Sequence, residues 1–178
     1  MRDPVSLAMT SRMSEYTERT LSIVENLHQR YGACGTVIQA YLRRSAADID
    51  RLCAKAIRVR LCKGAYLEPP TVAFEEKREV DRNYVELAKG NHPAIATHDE
   101  AIIREVIEHC RREQIRPERF EFQMLYGIRR DLQRKLVADG YRLRLYIPYG
   151  EAWYPYFMRR LAERPANLLF LLRNLFRE

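Results

Sequence analysis

The stretch Pro93-Ala94-Ile95-Ala96-Thr97-His98-Asp99-Glu100-Ala101-Ile102-Ile103-Arg104-Glu105-Val106-Ile107-Glu108-His109-Cys110 decides the fold. Pro93 to Thr97 is a short apolar run of the kind that makes a buried strand. Asp99 stands where a carboxylate can accept the first free N–H groups of a helix. Ile102, Ile103, Val106, Ile107 and Cys110 then recur at three- and four-residue intervals, which puts them on one helical face. Strand, cap and helix together make one β–α unit.

The same unit repeats on both sides. Upstream, 36–41 and 57–62 read as strands, the second closed by Lys63-Gly64. Ser45 with Asp48 starts a helix carrying Ile49, Leu52 and Cys53, and Pro69-Pro70 opens a long helix with Ala73, Val80, Tyr84 and Leu87, ended by Gly90. A leading helix spans 15–31 on Thr20, Ile23, Val24, Leu27 and Tyr31, with Gly32 as its stop. Downstream come strand 120–124, helix 129–139 stopped by Gly140, and strand 142–147 stopped by Pro148. Two further helices, 151–163 and 166–176, flank Pro165. Five strands, each followed by a helix, imply a parallel sheet with right-handed crossovers. The candidates are a doubly wound sheet and part of a (βα)8 barrel, and a full barrel takes roughly 250 residues. Residues 15–178 read as one α/β domain behind an irregular leader, 1–14.

Composition narrows the function. With 47% apolar and 31% charged residues the chain is globular rather than disordered. Its longest clean apolar run, Leu168 to Leu172, is far short of the roughly 20 residues of a spanning helix. The N-terminus has no apolar signal core, so the cytoplasm is the expected location. Four cysteines without a C-x-x-C pair and four histidines without H-x-x-x-H spacing remove the support for zinc and redox motifs, and reduced thiols are expected. The net charge is 31 − 24 = +7, which admits phosphate-bearing partners. Between Arg111 and Arg144, ten Lys/Arg face five Asp/Glu, but they are spread over helix faces and loop ends. That is a solvated basic surface, and no nucleic-acid motif accompanies it.

In either architecture ligands bind at the carboxyl ends of the strands. Those ends carry Gln39, then Arg60 and Lys63, then Thr97-His98-Asp99, then Glu121 and Gln123, then Tyr146. Arg60 shares the strand parity of Cys62 and needs either a polar ligand or an ion pair, with Glu121 and Asp99 as the available carboxylates. Gly64 would let backbone approach a ligand. His98 is placed either to meet a phosphate beside a helix start, to do acid–base work, or to serve as a helix-entry hydrogen-bond partner. In the segment 141–160, seven of the first seventeen residues are aromatic and the run ends in Arg159-Arg160. Adjacent arginines on a helix diverge by about 100°, so both reach one anion only when it lies across the helix face. Tyr156, three residues before Arg159, shares that face. A small amino or hydroxy acid between tyrosines fits.

At this point the chain resembles a known family. Ile38-Gln39-Ala40-Tyr41, Arg60-Leu61-Cys62-Lys63-Gly64-Ala65-Tyr66, Ala96-Thr97-His98-Asp99, Phe120-Glu121-Phe122-Gln123-Met124-Leu125-Tyr126-Gly127 and Tyr154-Pro155-Tyr156-Phe157-Met158-Arg159-Arg160-Leu161-Ala162-Glu163-Arg164-Pro165 are similar to the bacterial single-function proline dehydrogenases. The likeness covers about residues 15–178 in order.

The resemblance implies a distorted (βα)8 barrel holding FAD without a covalent bond. It also implies oxidation of L-proline to Δ1-pyrroline-5-carboxylate by hydride transfer to flavin N5, with a membrane quinone as electron acceptor and a peripheral position at the inner membrane face. By motif match, Arg60 lies near flavin N5, and Gln39, Lys63, Thr97, His98 and Glu163 line the cofactor. Arg159 and Arg160 clamp the proline carboxylate, while Tyr66, Leu125, Tyr146 and Tyr156 wall the ring. The family also places a lysine and an aspartate on earlier strands, the latter in an Asp-Met-Glu-x-Ser type segment. Here Tyr16-Thr17-Glu18-Arg19-Thr20-Leu21 is present, but Val5 to Ser14 contains no acidic residue. The chain is therefore expected to begin near the third or fourth barrel strand, with roughly three βα units absent. Two functions follow from that expectation: proline oxidation, or a noncatalytic barrel remnant that binds flavin or a partner chain. Open sheet edges would favour self-association.

Overall fold

A computed structural model describes residues 7–9, 14–64, 68–89, 92–147 and 149–151. The elements follow one another as β1 (Leu7–Met9), α1 (Thr17–Tyr31), β2 (Cys34–Gln39), α2 (Ser45–Ala54), β3 (Arg58–Cys62), α3 (Lys77–Glu86), β4 (Ala94–Ala96), α4 (Glu100–Arg112), β5 (Glu121–Leu125), α5 (Arg130–Ala138) and β6 (Leu143–Tyr146). The six strands lie in the order β1-β2-β3-β4-β5-β6, every pair parallel.

Strand order decides between the two candidate architectures. A doubly wound sheet reverses its winding direction at a switch point. Here each crossover steps to the next strand in the same direction, so right-handed connections place the helices on a single face. That is the winding of a (βα)8 barrel, of which these strands form an arc.

Register then sorts the side chains. Ile38 pairs with Leu61, Leu61 with Ile95, Ile95 with Phe122 and Phe122 with Leu143. Aligned partners project to the same side. This row, with Val59 and Met124, packs under Leu21, Val24, Ile49, Leu52, Tyr84, Ile102, Ile103, Val106, Leu132 and Leu136 of the helices. The alternate row, Val37, Gln39, Arg60, Cys62, Ala94, Ala96, Glu121, Gln123, Leu125, Arg144 and Tyr146, faces the other way, toward the interior of the arc. Core and polar face are thus two readings of one alternation.

Several local expectations change. The segment 1–14, expected to be irregular, contributes β1, which satisfies the backbone groups along the β2 edge. Three residues are too short for an alternation to show. The helix expected from Pro70 starts only at Lys77. Its would-be first turn is captured by other contacts: the Arg43 and Phe74 N–H groups donate to the Val72 and Tyr41 carbonyls at 3.0 and 2.8 Å, and the Arg43 guanidinium stacks 4.6 Å from the Phe74 ring centre. Ser45 does begin a helix, but its hydroxyl donates to the Gln39 carbonyl at 2.6 Å. The helices expected at 151–163 and 166–176 lie outside the described residues apart from Glu151.

Phe122 is fully buried at the centre of the outer row, edge-on to Phe120 and Tyr141 with ring centres 5.6 and 5.7 Å away. Phe122→Ala should cost about 3–5 kcal/mol of stability. Urea unfolding would register it as a lower midpoint at unchanged slope.

Candidate active site

The inner face of β2 to β6 carries polar residues around a floor made small by Ala94 and Ala96 of β4, and Glu121, expected at a carboxyl end, is instead the first residue of β5. Because no long side chain rises from β4, Arg60 on β3 reaches across it and donates from Nε to Gln123 Oε1 on β5 at 2.8 Å. Gln123 donates in turn from Nε2 to Glu121 Oε1 at 2.6 Å. Arg144 of β6 grips both Glu121 oxygens at 2.8 and 3.1 Å. Burial pushes the Glu121 carboxyl up, but the Arg144 fork and the Gln123 amide outweigh it and hold it below the ordinary glutamate range. Arg60 therefore takes an amide as its partner, not the carboxylate of Glu121 or Asp99.

Asp99, one of the two carboxylates considered for Arg60, pairs instead with Lys63. Its ammonium lies 2.8 Å from Asp81 on α3 and 3.0 Å from Asp99, with Lys77 also on Asp81. Burial raises both carboxyls, yet the contacts with Lys63 bring each net below its ordinary value. Asp99 has a second duty. Its other oxygen accepts the Ala101 N–H at 3.1 Å, so the expected N-cap is in place, and the Asp99 N–H donates to Thr97 Oγ at 3.1 Å.

His98 points its Nε2 at the N–H of Leu125, accepting at 2.9 Å. A ring that accepts there carries its proton on Nδ1. Burial is the main cause of a lowered imidazole pKa, and the nearby Arg129 and Arg60 charges add to it, so His98 is neutral at pH 7. The Leu125 carbonyl is held at the same time by Gln133 Nε2 at 2.9 Å. Leu125 is thus fixed through its backbone on both sides. The Tyr126 N–H donates to the Tyr146 carbonyl at 3.0 Å, which keeps the ends of β5 and β6 together. The Tyr146 ring is half exposed, at 52%.

At φ +103° Gly64 adopts a backbone conformation that glycine favours, and a Cβ there would lie 2.1 Å from the Tyr41 ring. The side chain that comes close to Gly64 is Tyr41. Gln39 is 7% exposed at the end of β2, level with Cys62. Arg60, Lys63, Gln39, Thr97, His98, Leu125 and Tyr146 accordingly share one edge of the sheet. Tyr66, Tyr156, Arg159, Arg160 and Glu163 lie outside the described residues. Asp81 and Gln133 were missed. Asp81 had a faint signal as the i+4 partner of Lys77, and Gln133 had none. Among the described residues no cluster of His, Cys, Asp and Glu is placed to hold a metal, the four cysteines are free thiols, and no helix is long and apolar enough to cross a membrane.

The sequence profile of the family described as "Proline dehydrogenase" matches residues 8–173. "Proline dehydrogenase 1" of Bacillus subtilis (strain 168) is 46% identical over 179 aligned positions, spanning 97% of this chain and 59% of its own. "Proline dehydrogenase" of Deinococcus radiodurans is 47% identical over 165, spanning 89% and 53%. The chain therefore covers little more than half the length of these relatives. The crystal structure of proline utilization A from Bdellovibrio bacteriovorus, inactivated by N-propargylglycine, superposes with a TM-score of 0.78 at 31% identity, over 86% of this chain and 19% of that one.

Replacing Lys63 with Met should leave Asp81 and Asp99 with only the largely exposed Lys77 as a shared cation. Both carboxyls are depressed in the folded protein, so the stability they contribute is present above their unfolded values near 4 and is lost as pH falls through the folded ones. In Lys63→Met both should titrate upward, measurable by carboxyl-carbon NMR, and stability should vary less between about pH 5 and pH 2. Titration curves identical to those of the parent would contradict the double pairing.

Proposed function

The chain belongs to the proline dehydrogenase family, and from that premise we propose that its inner strand ends hold FAD and orient L-proline for oxidation to Δ1-pyrroline-5-carboxylate. The observation that carries this reading is the polar edge itself: donors from five successive strand ends and their loops around a floor of two alanines. The fit to a flavin rests on shape and chemistry. A planar tricyclic ring needs a flat support without projecting side chains, and its heteroatoms need fixed donors.

Arg60 supplies such a donor set. Its Nε is committed to Gln123, and its Nη groups have no protein partner among the described residues. His98, neutral and locked by the Leu125 N–H, offers Nδ1–H as a donor without adding charge. Thr97 and Gln39 sit beside it at the strand ends, and Lys63 is carried on the same edge with Asp81 and Asp99 neutralising it. FAD held here would supply a two-electron acceptor for the oxidation of proline at C5. The substrate side is assigned to Arg159 and Arg160, whose guanidinium forks would hold the carboxylate so that C5 faces the acceptor, with Tyr66, Leu125, Tyr146 and Tyr156 as the walls and Glu163 beside the cofactor. A membrane quinone is the proposed final acceptor, reached from a peripheral position on the inner membrane face.

The double substitution Arg159→Met with Arg160→Met separates the two halves of the site. It should abolish binding of a saturated five-membered-ring carboxylic acid, a substrate mimic, while flavin absorbance stays with the protein. Unchanged affinity for the mimic would contradict the clamp. In the parent chain, L-proline should bleach the flavin and reduce a quinone dye; flavin retained without bleaching would favour the noncatalytic remnant, and colourless, inert protein would reject proline oxidation by this chain.

A further inference from the structure

We propose that Glu121 is a positioning residue that acts on Arg60 through Gln123, with Arg144 as its anchor. A glutamine side chain is nearly symmetric in shape but not in chemistry: one end accepts and the other donates. Turned through 180°, Gln123 would present its NH2 group to the Arg60 Nε–H, donor against donor. Within the Arg60–Gln123 pair the turn is opposed by that single bond alone.

Glu121 prevents it. An ionised carboxylate only accepts, so it binds the Nε2 end of Gln123, at 2.6 Å, and thereby aims Oε1 at Arg60, at 2.8 Å. The carboxylate is itself held in one rotamer by the two-point grip of Arg144 at 2.8 and 3.1 Å. The four residues run across β3, β5 and β6, and the chain of bonds can pass over β4 because Ala94 and Ala96 leave the way clear. Direction is transmitted along it: acceptor-only Glu121 sets the amide, the amide fixes Nε, and Nε fixes the plane of the guanidinium. Gln123→Glu would put a charge on Arg60; the native amide orients it without neutralising it.

Its consequence for cofactor binding rests on the flavin reading given above; the orientation itself does not. The test uses the 15N-labelled 178-residue chain. The Arg60 Nε–H resonance is identified by its loss in Arg60→Lys, and its hydrogen exchange is compared in the parent, Glu121→Gln and Gln123→Leu. In Glu121→Gln the new amide offers both a donor and an acceptor, so the end of Gln123 that faces it is satisfied in either orientation and only the bond to Arg60 still selects one. Exchange at Arg60 Nε should accelerate at least tenfold in both variants, while the backbone N–H of Phe122 in the core exchanges as before. An unchanged Arg60 rate would overturn the proposal. Arg144→Lys, which keeps the charge and loses the fork, gives an intermediate acceleration and serves where Glu121→Gln does not fold. Titration with FAD then reads the second part: affinity should fall at least fivefold in Glu121→Gln. Equal affinity alongside accelerated exchange would overturn the link to the cofactor. If no form of the chain binds FAD, the flavin reading fails while the exchange data still decide the positioning role.

Discussion

One alternation, kept in step across parallel strands, governs this molecule. Once Gly35 pairs with Arg58 and Val37 with Arg60, the parity of β3 is set, and the pairing of Arg60 with Ala94, Ala94 with Glu121 and Gln123 with Arg144 carries it to β6. A slip of one residue would turn Leu61 and Phe122 out of the core and Arg60 and Gln123 into it. Each large apolar side chain so exposed loses about 1.5–3 kcal/mol, and a guanidinium buried without partners costs several more. The penalty on both faces acts in the same direction, so register is specified twice. The polar face is as much a part of folding as the core beneath it.

The residues at the strand ends consequently do two kinds of work. Asp99 caps α4 and pairs with Lys63; Thr97 accepts the Asp99 N–H; His98 fastens β5 through Leu125. Their first partners are parts of the protein, which fixes their positions before any ligand arrives. Pre-set donors of this kind need little reordering when a ligand binds. These polar groups of the face are thus satisfied within the protein. Backbone and side-chain hydrogen bonds, rather than packing alone, hold it.

Much of this was legible in the sequence where a local rule and the tertiary structure agree. Asp99 could be read as a cap because the capping bond spans only two residues, to Ala101. The apolar rows of α4 and α5 could be read because burial follows the helical period. The reading failed where distant segments compete for the same backbone. Pro69-Pro70 resembles a helix start, but the following residues form a bridge between Leu42 and Ala73 instead, and no pattern within 70–76 encodes that partner. Arg60 was legible as a residue needing a partner and illegible as to which, since Gln123 is 63 positions away and becomes a neighbour only through the small residues of β4. Gly64 was legible as a point of close approach, but the Tyr41 ring that packs against it, 23 positions away, was not. β1 was invisible because three residues cannot display a period of two.

Charge on the inner face separates Arg60 from Lys63. Lys63 has two carboxylates at 2.8 and 3.0 Å, so its positive charge is cancelled locally and its field beyond the cluster is small. Arg60 is bonded to a neutral amide, and the charge of Glu121 one step further on is matched by Arg144. Among the described residues Arg60 therefore remains a half-buried cation whose nearest partner carries no charge. An incoming group that is negative, or becomes so by accepting electrons, meets a favourable field at Arg60 and almost none at Lys63. Neutral His98 reinforces the distinction, because a second full charge beside Arg60 would repel it. The sheet supplies both cations from one strand, β3 and its first turn, and distinguishes them only by the partners that the neighbouring strands and helices bring.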